Sequence, residues 1–316
     1  MTLSKQSSQT PQATHPVKTV SLILGSGGAR GLAHIGIIHW LEEHNYQIKS
    51  ISGSSIGALI GGIYAAGKLD ECEAWCKQLS NTDIIGLTDF AWDRSGLIKG
   101  DKLVKAFKKI IGNPNIEDLT IPFTAVATDI ENEKEVWLQK GSLLDAMRAS
   151  TALPMIFTPF HNKQGITLVD GGVLNPVPIA PTFGQTNDLI IAVNLGGKPT
   201  TTESTHPLAE EPGQNEDSWF NNATTLFDSL LARFHSEAPK TSPPLNWDMV
   251  DISNKAFDSM QSSIARQQLA AYPPDILIEI PRNACGMLEF TKIHEMVTLG
   301  YQTAEKTLGN RNDDAR

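Results

Sequence analysis

The sequence predicts an α/β fold, a three-layer α/β/α arrangement around a mostly parallel central sheet. Three observations predict it. A short apolar run, residues 19–24, stops at Gly25, and a second, residues 48–52, stops at Gly53. Each stop leads into apolar residues at helical spacing, so a strand–turn–helix unit occurs twice within residues 19–66. Beyond that point strand-like and helix-like segments keep alternating, the pattern of parallel strands joined by crossover helices on both faces.

The first strand, Thr19-Val20-Ser21-Leu22-Ile23-Leu24, is apolar on both faces, as a strand buried inside a parallel sheet is. After the glycine loop that follows it, a helix over 32–44 offers Ile35, Ile38, Trp40 and Leu41 to the core. The second strand turns through Gly53-Ser54-Ser55-Ile56-Gly57 into a helix over 58–66, whose small residues allow close approach to a sheet. Further strands are expected at 123–128, 136–139, 166–169, 189–194 and 276–280, and helices at 70–80, 101–110, 142–150, 248–271 and 291–306. Residues 196–245 break this rhythm: they are rich in Pro, Thr, Ser, Asn and Glu, and from Lys198 to Leu245 carry seven acidic and three basic residues. A structureless gap of that length reads as an excursion from the core. Inside it Trp219, Phe220, Leu226, Phe227, Leu230, Leu231 and Phe234 form roughly one helical stripe, either a lid for acyl chains or a helix packed on its own domain. The expected organisation is one domain over 18–308 with this insertion, between disordered tails at 1–17 and 309–316.

Composition narrows the function classes. The chain has 316 residues, 40% of them hydrophobic, enough for a large core and too many for wholesale disorder. Its charge is 26 − 35 = −9, which repels phosphate backbones, and no dense Lys/Arg run supplies a local basic patch, so no nucleic-acid partner is expected. Three cysteines are an odd count, and Cys72 and Cys76 stand four apart, which fits neither a disulfide framework nor a zinc ribbon. Residues 1–16 lack the apolar core of a signal peptide. The most apolar run, 56–67, holds four glycines and is shorter than the ~20 residues a bilayer-spanning helix needs. No transmembrane segment is expected; the location is cytoplasmic, in solution or peripheral to a membrane. Oligomeric state is not legible.

Three motifs carry chemistry. Gly53-x-Ser55-x-Gly57, after a strand and before a helix, can form a nucleophile elbow: glycine fits where the turn leaves no room for side chains, and the serine lands at a helix N-terminus that favours negative charge. Its plainer reading is a capped β–α turn. The loop Gly25-Ser26-Gly27-Gly28-Ala29-Arg30-Gly31 frees several backbone N–H groups to hold a phosphate or an oxyanion. A dinucleotide fingerprint is imperfect, because Arg30 stands at the third glycine position and the second strand ends in Ser52 and Gly53 rather than an acid. A P-loop lacks its Gly-Lys-Ser/Thr. Val169-Asp170-Gly171-Gly172 places an acid at a strand end, where ligand sites of α/β proteins collect, and alone is a common turn.

Together these motifs resemble the patatin-like phospholipase family. The glycine loop with His34-Ile35-Gly36 is similar to its oxyanion block, and Gly53 to Gly57 to its elbow. Arg148-Ala149-Ser150-Thr151-Ala152-Leu153-Pro154, continuing to Phe157-Thr158-Pro159, resembles a third block, and Asp170-Gly171-Gly172-Val173-Leu174-Asn175-Pro176 its Asp-Gly-Gly block. The resemblance implies a serine lipid acyl hydrolase of phospholipase or lysophospholipase type, with a lipid ester as partner. It implies Ser55 as nucleophile, Asp170 as its base and an acyl-enzyme intermediate, with an oxyanion hole within Gly25, Gly27, Gly28, Ala29, Arg30 and Gly31. Arg30 is expected to brace that loop. Among histidines, His206, His235 and His294 follow Asp170 in a triad's order without any feature that marks a base, and His34 reads as packed or as near the site. No cofactor and no metal are expected, since no His/Asp/Glu cluster has metal-ligand spacing. The rival readings are a non-catalytic nucleotide- or phosphate-binding module built on the glycine loop, and a degenerate family member kept for protein contacts.

Overall fold

A computed structural model of the chain describes residues 17–87, 89, 98–200 and 247–309. The two tails apart from Val17 and Gly309, the insertion from residue 201 with its Trp219–Phe234 stripe, and His206 and His235 lie outside the described residues. The chain divides into two units, one of residues 1–200 and 257–316, the other of residues 201–256. The second is described only over 247–256, the opening turns of a long helix. All else below concerns the first.

The strands are β1 (Lys18–Leu24), β2 (Tyr46–Ser54), β3 (Phe123–Asp129), β4 (Lys134–Leu138), β5 (Phe160–His161), β6 (Thr167–Asp170), β7 (Leu189–Gly197) and β8 (Ile276–Pro281). The helices are α1 (Ala33–Glu43), α2 (Ile56–Ala65), α3 (Leu69–Gln78), α4 (Asn81–Leu87), α5 (Asp101–Ile111), α6 (Leu143–Ser150), α7 (Trp247–Ala271) and α8 (Ile293–Ala304). Strand order is β5-β6-β3-β2-β1-β7-β8, with β4 also on β3. Pairings among β1, β2, β3, β7 and β8 are parallel, and those of β4, β5 and β6 antiparallel. The expected elements are present to within a few residues. The two-residue β5 and the helix α4 were not expected.

Alternation along the central strands separates the two faces of the sheet. Val20, Leu22 and Leu24 of β1, Ile191, Val193 and Leu195 of β7, and Ile276, Ile278 and Ile280 of β8 join the large core that α1, α2 and α8 also line. Their neighbours Ile23, Ala192 and Leu277 face the other way, onto Val177, Ile179 and Ala265 of α7. This is the period-two signature of a sheet covered on both sides. The terminal helix lies unusually close to α1. A Cβ on Gly36 would fall 1.9 Å from the Val297 carbonyl oxygen, and one on Gly300 would fall 2.0 Å from that of Ala33.

One strand acts as a ruler for the site. Ala127 to Asp129 of β3 pair with both β4 and β6, so those two strands lie on opposite edges; Ala125 and Val126 likewise pair with both β4 and β2. Hence β2 and β6 share one edge of β3, end to end. Ser54 sits opposite Val126 and Asp170 opposite Ala127, on consecutive residues of one strand. The C-terminal ends of β2 and β6 therefore abut.

Candidate active site

Ser55 follows directly on β2 and is the N-cap of α2, with φ 56° and ψ −123°. A positive φ at a non-glycine residue is a strained conformation that the surrounding structure must enforce. Gly57 shows what enforces it: a Cβ there would lie 2.0 Å from the Leu24 carbonyl oxygen, so α2 begins in contact with the end of β1. At Gly53 an added Cβ would run into the Gly57 backbone at 2.5 Å. Both flanking positions of the elbow thus exclude side chains, as the spacing predicts.

The Ser55 hydroxyl donates to Asp170 Oδ2 at 2.5 Å, across a sequence separation of 115 residues. Asp170 is fully buried, and its other oxygen accepts the Gly172 N–H at 2.7 Å. Burial pushes the carboxyl up to about 7, against the lowering effect of the hydrogen bonds from Ser55 and Gly172. The Asp170 backbone is fixed from both sides: its N–H donates to Ala152 O at 3.0 Å, and its carbonyl accepts the Thr128 hydroxyl at 3.0 Å. Gly171 presses on β3, where a Cβ would stand 2.1 Å from the Val126 carbonyl oxygen, and Gly172 leaves room for Ser26 and Gln261.

The glycine loop divides its donors. The N–H groups of Gly25, Ser26 and Ala29 go to the carbonyls of Val193, Pro176 and Met287, at 3.0, 2.8 and 2.8 Å. Those of Gly27 and Gly28 have no partner among the described residues. Gly25 and Ala29, two of the positions expected in the oxyanion hole, thus have their N–H groups engaged by backbone carbonyls. Gly28 has φ 59°, and a Cβ there would lie 2.4 Å from Met287 O. Gly31 packs on Ile56, the first residue of α2. Arg30 is buried and braces the loop as expected: Nε donates to Gly27 O at 3.0 Å, Nη1 to Arg282 O at 3.1 Å, and Nη2 pairs with Asp258 at 2.9 Å. His34 is packed beneath it, with Nε2 2.9 Å from Gly25 O, and burial lowers its pKa to about 4, so it stays neutral. His294 is exposed on α8. Among the described residues no histidine bonds to Ser55 or Asp170.

Ser150, quoted in the third motif block but given no role there, proves central. Its buried hydroxyl donates to Val126 O at 2.6 Å and accepts the Ser55 N–H at 2.9 Å. It closes α6, whose start is capped by Ser142, the Oγ accepting the Asp145 N–H at 3.2 Å. Metal-ligand spacing was absent along the chain, yet folding brings ligand atoms of His39, Asp70 and Glu73 within 4.8 Å of one another. Both Glu73 oxygens are already engaged, one by His39 at 2.7 Å and the other by Lys77 at 2.7 Å.

The chain is similar to known proteins. An uncharacterized NTE family protein of Mycobacterium tuberculosis is 38% identical over 333 residues, spanning 92% of this chain and 91% of its own length. The human patatin-like phospholipase domain-containing protein 6 is 27% identical over 300 residues, which span 92% of this chain and 20% of that protein. Among solved structures, VipD from Legionella pneumophila superposes on 93% of this chain and 67% of its own at TM-score 0.42 and 15% identity. A family model described as patatin-like phospholipase matches residues 22–183, a span that takes in the glycine loop, the elbow, the Ser150 block and the Asp-Gly-Gly motif. The chain belongs to the patatin-like phospholipase family.

Proposed function

We propose that this protein is a serine hydrolase of lipid acyl esters, of phospholipase A or lysophospholipase type. The observation that carries the reading is the 2.5 Å hydrogen bond from Ser55 Oγ, on a strained elbow, to the buried Asp170 carboxylate. A carboxyl held near 7 is half ionised at neutral pH, so it can accept a proton in one step and return it in the next. Ser55 Oγ attacks the ester carbonyl carbon while its proton passes to Asp170. The oxyanion accepts hydrogen bonds from the N–H groups of Gly27 and Gly28, each such donor being worth ~10²–10³ in rate. Collapse expels the alcohol, which takes the proton from Asp170, and leaves an acyl-enzyme on Ser55. Water then attacks the acyl carbon as Asp170 takes its proton, and collapse breaks the bond to Ser55 Oγ, which recovers that proton from Asp170 as the fatty acid leaves. The positive end of α2 at Ser55 favours the negative charge that develops there.

A phosphate-binding role for the glycine loop is the weaker reading, because three of its N–H groups are committed to backbone carbonyls. The adjacent Gly27 and Gly28 donors suit a single oxygen. The deciding experiment is fluorophosphonate labelling of wild type and Ser55→Ala, with hydrolysis of a lysophospholipid and a short-chain ester alongside. Ser55→Ala is expected to lose labelling and to cut turnover by roughly 10⁴–10⁶. Equal labelling of the two proteins would refute the assignment of Ser55.

A further inference from the structure

The acidic net charge of −9 conceals one strongly basic surface. On α5, Lys102, Lys105, Lys108 and Lys109 are all exposed, while Phe107 and Ile111 are buried and Leu103, Val104 and Ile110 pack against the core. At 3.6 residues per turn the four lysines span an arc of about 120°, opposite the apolar residues. Asp101 is the helix's single acid, so α5 carries 4 − 1 = +3, and the exposed Lys99 adds a further positive charge just before it. Lys99, Lys105, Lys108 and Lys109 make no side-chain ion pair or side-chain hydrogen bond among the described residues. Favourable interaction with the helix dipole accounts for Lys108 and Lys109 in the last turn, but not for Lys99 and Lys105.

This helix is fastened to the site. Asp89 caps its start, accepting the N–H groups of Gly100 at 2.8 Å and Asp101 at 2.9 Å. Arg148, two residues before Ser150, donates from Nε and Nη2 to Lys99 O at 3.0 and 2.7 Å and from Nη2 to Thr158 O at 2.8 Å. The Ile98 N–H donates to Ile156 O at 2.9 Å and the Thr158 N–H to Ile98 O at 2.9 Å. The segment so held leads away from Ala152, the acceptor of the Asp170 N–H, and carries Met155, 61% exposed at φ 68°. A cationic helix face and an exposed apolar side chain are thus laced to one segment beside the Ser55–Asp170 pair.

We propose that the lysine face of α5 is a docking surface for an anionic phospholipid bilayer. The surface would hold the protein against aggregated substrate, a consequence that rests on the hydrolase reading, whereas the docking itself does not. The test uses the full chain as Ser55→Ala, so that binding is read without turnover, in co-sedimentation with vesicles of phosphatidylcholine alone or with about one-third phosphatidylglycerol. Binding is expected only to the anionic vesicles and should weaken as salt is added. Each lysine near such a surface contributes about fivefold, so Lys105→Gln with Lys108→Gln should weaken binding ~25-fold, while arginine at both positions should preserve it. Equal sedimentation with both vesicle types, or a glutamine pair that binds as well as its parent, would overturn the proposal. So would capture of a polyanionic RNA with no capture of vesicles. Should the glutamine pair fail to fold, single Lys108→Gln and the salt series decide the matter. A docking failure leaves fluorophosphonate labelling of wild type intact, which separates it from failure of the hydrolase reading.

Discussion

Replacing Asp170 by asparagine separates what the site gains in chemistry from what it loses in stability. Burial holds the carboxyl at about 7 in the folded protein, whereas in the unfolded chain it titrates near about 4. Between those values the folded carboxyl keeps its proton while the unfolded one has released it. The folded-state pKa is the raised one, so this group's contribution to stability is whole below about pH 4. It falls as pH rises and is gone above about 7. About three pH units at about 1.4 kcal/mol each amount to about 4 kcal/mol, a large fraction of a typical domain's stability. Asparagine fits the same space: its oxygen can accept the Gly172 N–H and its amide nitrogen can donate to Ser55 Oγ, the two contacts the carboxylate now makes. It has no proton to lose in this range. Urea unfolding of both proteins at several pH values between about 4 and 8 therefore gives a difference that moves by about 4 kcal/mol in favour of the variant. Turnover moves the opposite way. The variant has no base and should lose roughly 10⁴ in kcat, while the wild-type rate should climb with pH through about 7 as Asp170 ionises. A stability difference that stays flat with pH would refute the claim that a buried, half-ionised carboxyl drives the chemistry.

Two further substitutions probe the scaffold of the site. Ser150→Ala removes the acceptor of the Ser55 N–H and the donor to Val126 O at once. At 1–3 kcal/mol for a polar group left without its partner, kcat should fall ~10–100-fold with KM little changed; an unchanged kcat would mean that the elbow holds Ser55 without help. Gly57→Ala puts a Cβ 2.0 Å from the Leu24 carbonyl oxygen, an obstacle of backbone that cannot rotate away. It should cost at least ~3 kcal/mol in a denaturant titration, and a variant as stable as wild type would contradict the close packing of α2 on β1.

What could be read along the chain was what has a local cause. Gly53 and Gly57 flank Ser55 because a sharp turn excludes side chains there, and that steric rule acts within five residues. Alternating strand and helix segments gave the layers, since period-two and period-3.6 patterns are also local. Strand direction is not written in such periods, so the antiparallel run of β4, β5 and β6 could not be read, and a two-residue β5 has no pattern at all. Which N–H groups of the glycine loop are engaged is hidden in the sequence for the same reason. The carbonyls of Val193, Pro176 and Met287 arrive from sequence positions 150 to 258 residues beyond the N–H groups they satisfy. No dense basic run along the chain marks the lysine face, because residues 102, 105 and 109 become neighbours only once the helix forms.

The pairing of Ser55 with Asp170 lies between these extremes. Each residue carries its own local signature, yet nothing near either one states that the two meet. That information resides in β3. A one-residue slip of β6 along β3 would turn Asp170 to the other side of the sheet, because side chains alternate along a strand. The register is pinned by contacts other than the Ser55–Asp170 hydrogen bond itself. Val126 O accepts the Ser150 hydroxyl, Gly171 fits against that same carbonyl with no room for a Cβ, and the Thr128 hydroxyl donates to Asp170 O. Two residues of one buried strand, Val126 and Thr128, thus fix the two halves of the site at once. The alignment of serine and carboxylate is as rigid as the sheet itself, and substitutions in β3 that leave Ser55 and Asp170 untouched should act on turnover before they act on lipid binding.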